Sequence, residues 1–252
     1  METWPSGIGC LEYSVLDSTN AEGKRIAFEN NEETWIFAHR QIHGRGSRGR
    51  IWFTGDGNFT ASFLSYPCGT LKQLAHRTFT TSLALFDCLV YAGVPPNCLT
   101  LKWPNDVLLD NKKLSGILLE TSQDPLSKRF ALIIGIGINL FSHPELSLEQ
   151  KESHPPTCLK TLLEDNTPSA LTILTYLANS LQNWEKKYKT YGFQYVKDAW
   201  LALTYSFGSK VEIHIRGKKR KGYFQGIDDS GSFILRESDS ISELSIGDVF
   251  FV

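Results

Sequence analysis

The chain lacks the marks of three protein classes. Its five cysteines, Cys10, Cys68, Cys88, Cys98 and Cys158, are scattered, odd in number and never spaced as CxxC, which argues against a disulfide scaffold or a structural zinc site. No apolar run is long enough to cross a bilayer, and the first twenty residues hold no basic segment followed by an apolar one, so no membrane anchor or secretory leader is expected. The formal net charge is only -1, so the whole protein has no field to draw in nucleic acid and any basic cluster must be read locally. A cytoplasmic enzyme or binding protein fits best.

One further absence is local. Between His39 and Trp52 the sequence HRQIHGRGSRGRIW carries four arginines and three glycines without a single Asp or Glu. Gly44, Gly46 and Gly49 let backbone amides approach a ligand closely, while Arg45, Arg48 and Arg50 offer forks of donors to phosphate or carboxylate oxygens. The competing reading is a solvated basic loop. Against it stands the next segment, where Phe59, Ala61 and Phe63 alternate with Thr60 and Ser62 as in a half-buried strand. Loops at the ends of such strands commonly carry binding residues.

With 252 residues, 41% of them hydrophobic, the chain can bury a substantial core in one large domain or in one large and one small. Strands are expected at Cys10–Leu16, Trp35–Ala38 and Phe130–Leu140, and Thr19 with Glu22 has the spacing of a capping box opening a helix. Leu71–Val90 has helical spacing, and Leu101–Leu119 reads as strand, turn at Asp110-Asn111, strand. A loop runs from Ser142 to about Pro156. Thr167 followed by Pro168 predicts a helix start, after which Leu174, Leu177, Leu181, Trp184 and Tyr188 fall on one face. That stripe reads as core. From Gly208 onward short segments separated by turns predict a small β barrel or sandwich, with Arg216–Lys221 as a polar hairpin tip.

The second strong feature is Lys102-Trp103-Pro104-Asn105-Asp106, anchored by the apolar residues that follow. Lys102 and Asn105 suit nucleotide or substrate oxygens, and Asp106 suits either a divalent cation or a cationic side chain. The short connection brings Lys113 beside this cluster, although Lys112 and Lys113 also fit an ordinary solvated turn. Trp52 and Trp103 are equally readable as packing residues or stacking partners.

At this point the chain resembles the biotin protein ligases, also called biotin-[acetyl-CoA-carboxylase] ligases. The matching elements are DSTN at 17–20, QIHGRGSRGRIW at 41–52, GNFTAS at 57–62, KWPNDVLLDNKKLSGILLE at 102–120 and IGIGINL at 134–140. The resemblance implies an α+β fold: a mixed sheet with flanking helices, like class II aminoacyl-tRNA synthetases and lipoate ligases, over residues 1–204, and a small SH3-like β barrel over 205–252. It implies activation of biotin with ATP to biotinyl-5'-AMP, release of pyrophosphate, and transfer of biotin to one lysine of a biotin carboxyl carrier domain.

By position, the resemblance assigns biotin to Ser18, Thr19, Gln41, Gly44, Arg45, Lys113, Gly116 and Gly135. It assigns ATP to Arg48, Arg50, Trp52, Lys102, Asn105 and Asn139. Arg45, Lys113 and Asp106 are the expected catalytic residues, with Asp106 also the candidate Mg²⁺ ligand and the group that helps the incoming lysine lose its proton. The acyl phosphate is already reactive, so no enzyme nucleophile is needed. One departure stands out: Ser47 occupies the place of the second arginine of the common GRGRRGRxW pattern, and His43 precedes it where a small residue is usual. Fewer than twenty residues precede Asp17, too few for the winged helix-turn-helix of repressor relatives, so no DNA partner is expected; a monomer and a homodimer stay equally open. Two alternatives remain: a lipoate or octanoate transferase of the same superfamily, and a noncatalytic nucleic-acid module resting on Arg48, Arg50 and Arg216–Lys221.

Overall fold

The computed structural model describes residues 3–29, 32–145, 154–205, 207–215, 218–245 and, for the backbone, 248–251. A seven-stranded sheet is its centre. The strands are β1 (Gly9–Leu16), β2 (Thr34–Gln41), β3 (Phe59–Ser65), β4 (Leu99–Lys102), β5 (Asp106–Leu109), β6 (Lys112–Gln123) and β7 (Phe130–Ile138), in spatial order β1-β2-β3-β7-β6-β5-β4. Only the β1–β2 pair is parallel.

Side-chain alternation splits the interior into two cores. Ile36, Leu64 and Ile133 face one side, where helix α1 (Thr19–Ile26) covers them and Gly23 lets it sit close to Ile36 and Ile133. Trp35, Phe37, Phe63, Leu132 and Ile134 face the other side, into the larger core roofed by α3 (Arg77–Tyr91) and α5 (Ala170–Ala202). Coverage on both faces explains why the strand FALIIGIGI is apolar along its length rather than alternating. The expected stripe of α5 is core: Leu174, Leu177, Leu181 and Trp184 are buried.

Several local expectations change. The helical segment from Leu71 is two helices, α2 (Leu71–Ala75) and α3, joined at His76, and the capping box is made by Thr70 and Gln73. The segment from Leu101 onward contains three strands, because Trp103–Asn105 is itself the turn between β4 and β5; the Trp103–Pro104 peptide is cis. The short α4 (Lys160–Leu163) precedes α5, which begins after Ser169 and not at Thr167. Ser169 Oγ accepts the Thr172 amide at 3.2 Å and so supplies the cap.

The carboxy-terminal segment corrects a larger expectation. Strands β8 (Lys210–Ile215), β9 (Lys218–Ile227), β10 (Phe233–Arg236), β11 (Ile241–Leu244) and β12 (Asp248–Phe251) form an antiparallel sheet of order β11-β10-β9-β8-β12. Among the described residues no pairing joins β11 to β12. The sheet is therefore open, and the SH3-like β barrel is not formed. A barrel hides its apolar face by rolling onto itself, whereas here Val211, Ile213, Phe224, Phe233 and Leu235 join the same core as Phe79, Trp103 and Trp200. The Trp103 and Phe233 rings lie 5.3 Å apart, and Trp103 Nε1 donates to Gly231 O at 3.0 Å. The four-residue outer strands leave little length for closure. Of the expected hairpin tip, Lys218–Lys221 open β9, and Arg216 and Gly217 lie outside the described residues. No helix among the described residues is long and apolar enough to cross a membrane.

Candidate functional site

Three glycines strip the sheet bare at one place. Gly116 on β6 lies opposite Gly137 on β7, and Gly135 lies opposite Leu118. A Cβ on Gly137 would stand 2.3 Å from the Trp52 indole, and one on Gly116 would stand 3.0 Å from it. A Cβ on Gly135 would stand 2.2 Å from Asn20 Oδ1. Any larger residue there displaces its neighbour. This bare surface floors a cavity of about 340 Å³, a size that holds small organic ligands.

One end of the cavity is neutral and polar. Ser18, Thr19 and Asn20 are buried at the start of α1. The Thr19 amide and Thr19 Oγ1 both donate to Gln41 Oε1, at 2.7 and 3.0 Å. Ser62 Oγ lies 2.7 Å from Thr19 Oγ1 and 2.6 Å from Asn20 Oδ1, its single hydrogen shared between them. The expected capping box is thus absent: the N-cap is Ser18, without a side-chain bond, and the Thr19 hydroxyl is turned to Gln41. Glu22 instead meets Tyr13 and Arg25. Arg25 also binds Asp17 and holds its carboxyl down at about 2.

The glycine and arginine loop forms a side wall. It folds back on itself through Trp52 N to Gly44 O (2.9 Å) and Gly46 N to Arg50 O (2.7 Å), with Arg48 (φ 60) and Gly49 (φ 75) at the bend. A Cβ on Gly44 would stand 2.6 Å from the Trp52 carbonyl, which is why glycine is needed there. Arg50 Nη2 donates to Ser47 Oγ at 3.0 Å. The loop has no acid of its own, yet Arg45 is not unpaired: its Nη2 donates to Glu120 Oε2 at 2.9 Å.

The other end is cationic. Lys113 Nζ stands 2.8 Å from Asp106 Oδ1, a charge contact; that buried oxygen receives no aligned hydrogen bond. The Lys113 backbone is held from both sides, its amide by Pro155 O at 2.8 Å and its carbonyl by the Thr157 amide at 2.9 Å. Asn105 Nδ2 donates to Ile117 O at 2.6 Å, and Asn139 Nδ2 to Thr157 O at 3.0 Å. His154 is buried behind this cluster with Nδ1 2.7 Å from Asn111 O, and burial pushes its pKa down. Such a cavity suits an elongated molecule with an uncharged hydrogen-bonding head and an anionic tail.

Of the residues singled out from the sequence, Ser18, Thr19, Gln41, Arg45, Arg50, Trp52, Asn105, Lys113, Gly116, Gly135 and Asn139 line this one cavity. Gly44, Arg48, Lys102 and Asp106 stand outside its lining: Gly44 shapes the loop, Arg48 sits exposed at the bend, Lys102 is buried at the end of β4, and Asp106 lies behind Lys113. Asn20, Ser62, Gly137 and Glu120 were not assigned to the site. Asn20 belongs to the DSTN motif, and counting by twos along β6 puts Glu120 on the Gly116 face, so both had a signal in the sequence.

The chain matches the model of the biotin/lipoate A/B protein ligase family over residues 13–139 and that of the biotin protein ligase C-terminal domain over residues 206–252. It belongs to the biotin protein ligases of this family. It is 36% identical over 238 residues to the biotin-[acetyl-CoA-carboxylase] ligase of Paracoccus denitrificans, covering 93% of this chain and 97% of that protein. It is 27% identical to the bifunctional ligase/repressor BirA of Bacillus subtilis, covering 99% of this chain and 76% of the relative. Among solved structures, the Aquifex aeolicus biotin protein ligase in complex with biotin and ATP superposes with a TM-score of 0.77 at 27% identity, over 96% of this chain and 97% of that one.

Proposed function

We propose that the cavity binds biotin and ATP together and that the chain is an ATP-dependent biotin protein ligase. The observation that carries this reading is the two-ended cavity. Ser18, Thr19 and Gln41 present hydroxyl and amide groups to a neutral ureido head, Trp52 and the glycine floor present flat apolar surface, and Lys113 meets the carboxylate at the far end. Biotin has these three parts in this order.

In the first step a biotin carboxylate oxygen attacks the α-phosphorus, the bond to the β-phosphate breaks, and pyrophosphate leaves. Two anions must meet, so the site has to offset their repulsion. Lys113 sits where the carboxylate and α-phosphate would join, and Arg45, Arg50 and the more distant Arg48 and Lys102 supply the remaining positive field. In the second step a carrier lysine amine attacks the acyl carbon and AMP leaves. Asp106, paired with Lys113, is the candidate to accept the proton that the amine loses. Asn105 and Asn139 position the nucleotide.

Mg²⁺ fits this site as a guest of the nucleotide. Among the described residues no three His, Cys, Asp or Glu side chains gather as a metal cage; the carboxylate that would hold the ion is Asp106, whose buried Oδ1 faces Lys113 Nζ without an aligned hydrogen bond. One carboxylate beside ATP phosphates is a usual Mg²⁺ environment, and there the ion would supply charge neutralisation of the phosphates.

The acceptor is a biotin carboxyl carrier domain and the location cytoplasmic on this reading. Residues 1–204 hold the ligand cavity, and residues 205–252 buttress the KWPND turn through Trp103. The test is incubation with biotin and MgATP, with competition by lipoate. Pyrophosphate release with biotin and tight biotin binding are expected. Tight lipoate binding with no measurable biotin affinity would transfer the protein to the lipoate branch.

A further inference from the structure

Glu120 lies on β6 in the same parity as Gly116 and Leu118, on the face that carries the cavity floor. Its carboxylate collects three donors from two separate parts of the chain. Lys24 Nζ reaches Oε1 at 2.5 Å, while Asn20 Nδ2 and Arg45 Nη2 both reach Oε2 at 2.9 Å. The first and second belong to α1 and the third to the glycine and arginine loop.

These bonds close a ring. Gln41 accepts from Thr19, Thr19 adjoins Ser62, Ser62 adjoins Asn20, Asn20 donates to Glu120, and Arg45 donates to Glu120. Backbone residues 42–44 then return from Arg45 to Gln41. The wall proposed to hold the ligand head and an arginine proposed to offset the charge of the reacting groups therefore share one hydrogen-bond circuit. Arg45 itself is flanked by Gly44 and Gly46, which do little to fix its direction.

The ion pairs add little to stability, because the Arg45 and Lys24 side chains are 42% and 38% exposed. Glu120 is only 18% exposed. Burial works against its ionisation, yet the bonds from Lys24 and Asn20 and the charge of Arg45 outweigh it and hold the carboxyl below its ordinary range. A half-buried carboxylate that contributes little to folding and is bonded on both oxygens has its effect through geometry.

We propose that Glu120 is a positioning residue for the ligase reaction: it anchors Arg45 in the side wall of the cavity and ties the loop to the Thr19–Gln41 wall. Ligand seated on that wall then finds Arg45 already in place. Without the anchor the loop samples other positions, and both biotin capture and enclosure of the adenylate weaken. This inference rests on the biotin ligase reading.

The test is a double-mutant cycle on biotin affinity, measured by calorimetry on the full chain as wild type, Glu120→Gln, Arg45→Gln and the double variant. Glu120→Gln is expected to bind biotin about ten-fold more weakly, the loss of one charge-assisted hydrogen bond, with a near-unchanged thermal midpoint. The double variant is expected to bind no more weakly than Arg45→Gln alone, because Glu120 acts through Arg45. Hydrogen exchange at residues 44–50 should also quicken in Glu120→Gln. Wild-type affinity in Glu120→Gln, fully multiplicative losses in the double variant, or unchanged exchange in the loop would each overturn the proposal. Glu120→Asp, which keeps the charge and shortens the reach, provides the same cycle if glutamine loosens α1. A wild type that fails to bind biotin sinks the functional reading itself, whereas a wild type that binds with an indifferent Glu120→Gln sinks only the role of Glu120.

Discussion

At Gly137 a single methyl group decides whether the cavity exists. Alanine there would press into the Trp52 indole, so Gly137→Ala is expected to cost about 1–3 kcal/mol of stability through overpacking and to abolish biotin binding; calorimetry and thermal melts check both. Lys113→Ala should behave in the opposite way. Lys113 is a partly exposed strand residue whose main contact is the Asp106 charge, so activation should fall at least about a hundred-fold, while melting falls only by the cost of leaving the Asp106 carboxylate unpaired. A loss of activity explained by unfolding would remove Lys113 from the chemistry. Ser47 makes a third case. Its hydroxyl receives Arg50, and a serine supplies no guanidinium to an adenylate. With biotin and ATP but no carrier, pyrophosphate should continue past the first equivalent in the wild type and slow in Ser47→Arg; equal rates would show that position 47 has no part in retention. At this scale the motifs were largely legible, since eleven of the residues read from the sequence line one cavity. The partner of Arg45 was not legible, because Glu120 is 75 positions away, a proximity that only the sheet creates.

At the scale of elements, α1 shows why local pattern misled. Thr19 and Glu22 have capping-box spacing, but Gln41 on a neighbouring strand competes for the Thr19 hydroxyl and wins because it also satisfies the Thr19 amide. The turn at Trp103–Asn105 was hidden for a related reason: one position beyond the charged Lys102 and Asp106 that flank it, Leu101 and Val107 are apolar and buried, so the apolar pattern resumes on both sides as in one strand. The junction of α2 and α3 offers a pH prediction. His76 stacks on Phe193 at 3.6 Å and lies between the Tyr188 hydroxyl and the Asp229 carbonyl. Burial lowers its pKa below the usual 6.5 despite the Asp229 bond. The unfolded chain therefore binds the proton more readily, and the stability linked to His76 is present above about pH 6.5 and lost as pH falls through the lower folded value. Melting temperature should drop between about pH 7.5 and about pH 5.5, and His76→Asn should reduce that drop while lowering stability at the upper end. Part of the dependence should persist, because His154 is shifted in the same direction. An identical pH slope in the variant would remove His76 from the account.

For the whole molecule, the open carboxy-terminal sheet matters more than its strand count. The sequence spacing reads as four short segments separated by turns, which fits a barrel as well as a sheet, and nothing local says where the apolar face goes. It goes into the core under α3 and α5, through Phe233 on Trp103. The KWPND turn and the carboxy-terminal sheet should therefore unfold together, giving one transition in a melt followed by both circular dichroism and tryptophan fluorescence; two separated transitions would contradict the shared core.

The central claim is that one cavity activates biotin with ATP and delivers it to a carrier lysine. The most direct measurement is mass spectrometry of a biotin carboxyl carrier domain after incubation with the enzyme, biotin and MgATP, with pyrophosphate followed in parallel. The account predicts a carrier heavier by one biotin on one lysine, pyrophosphate formed with it, and neither product when biotin or ATP is left out. A carrier of unchanged mass and no pyrophosphate from the folded wild-type protein would contradict it.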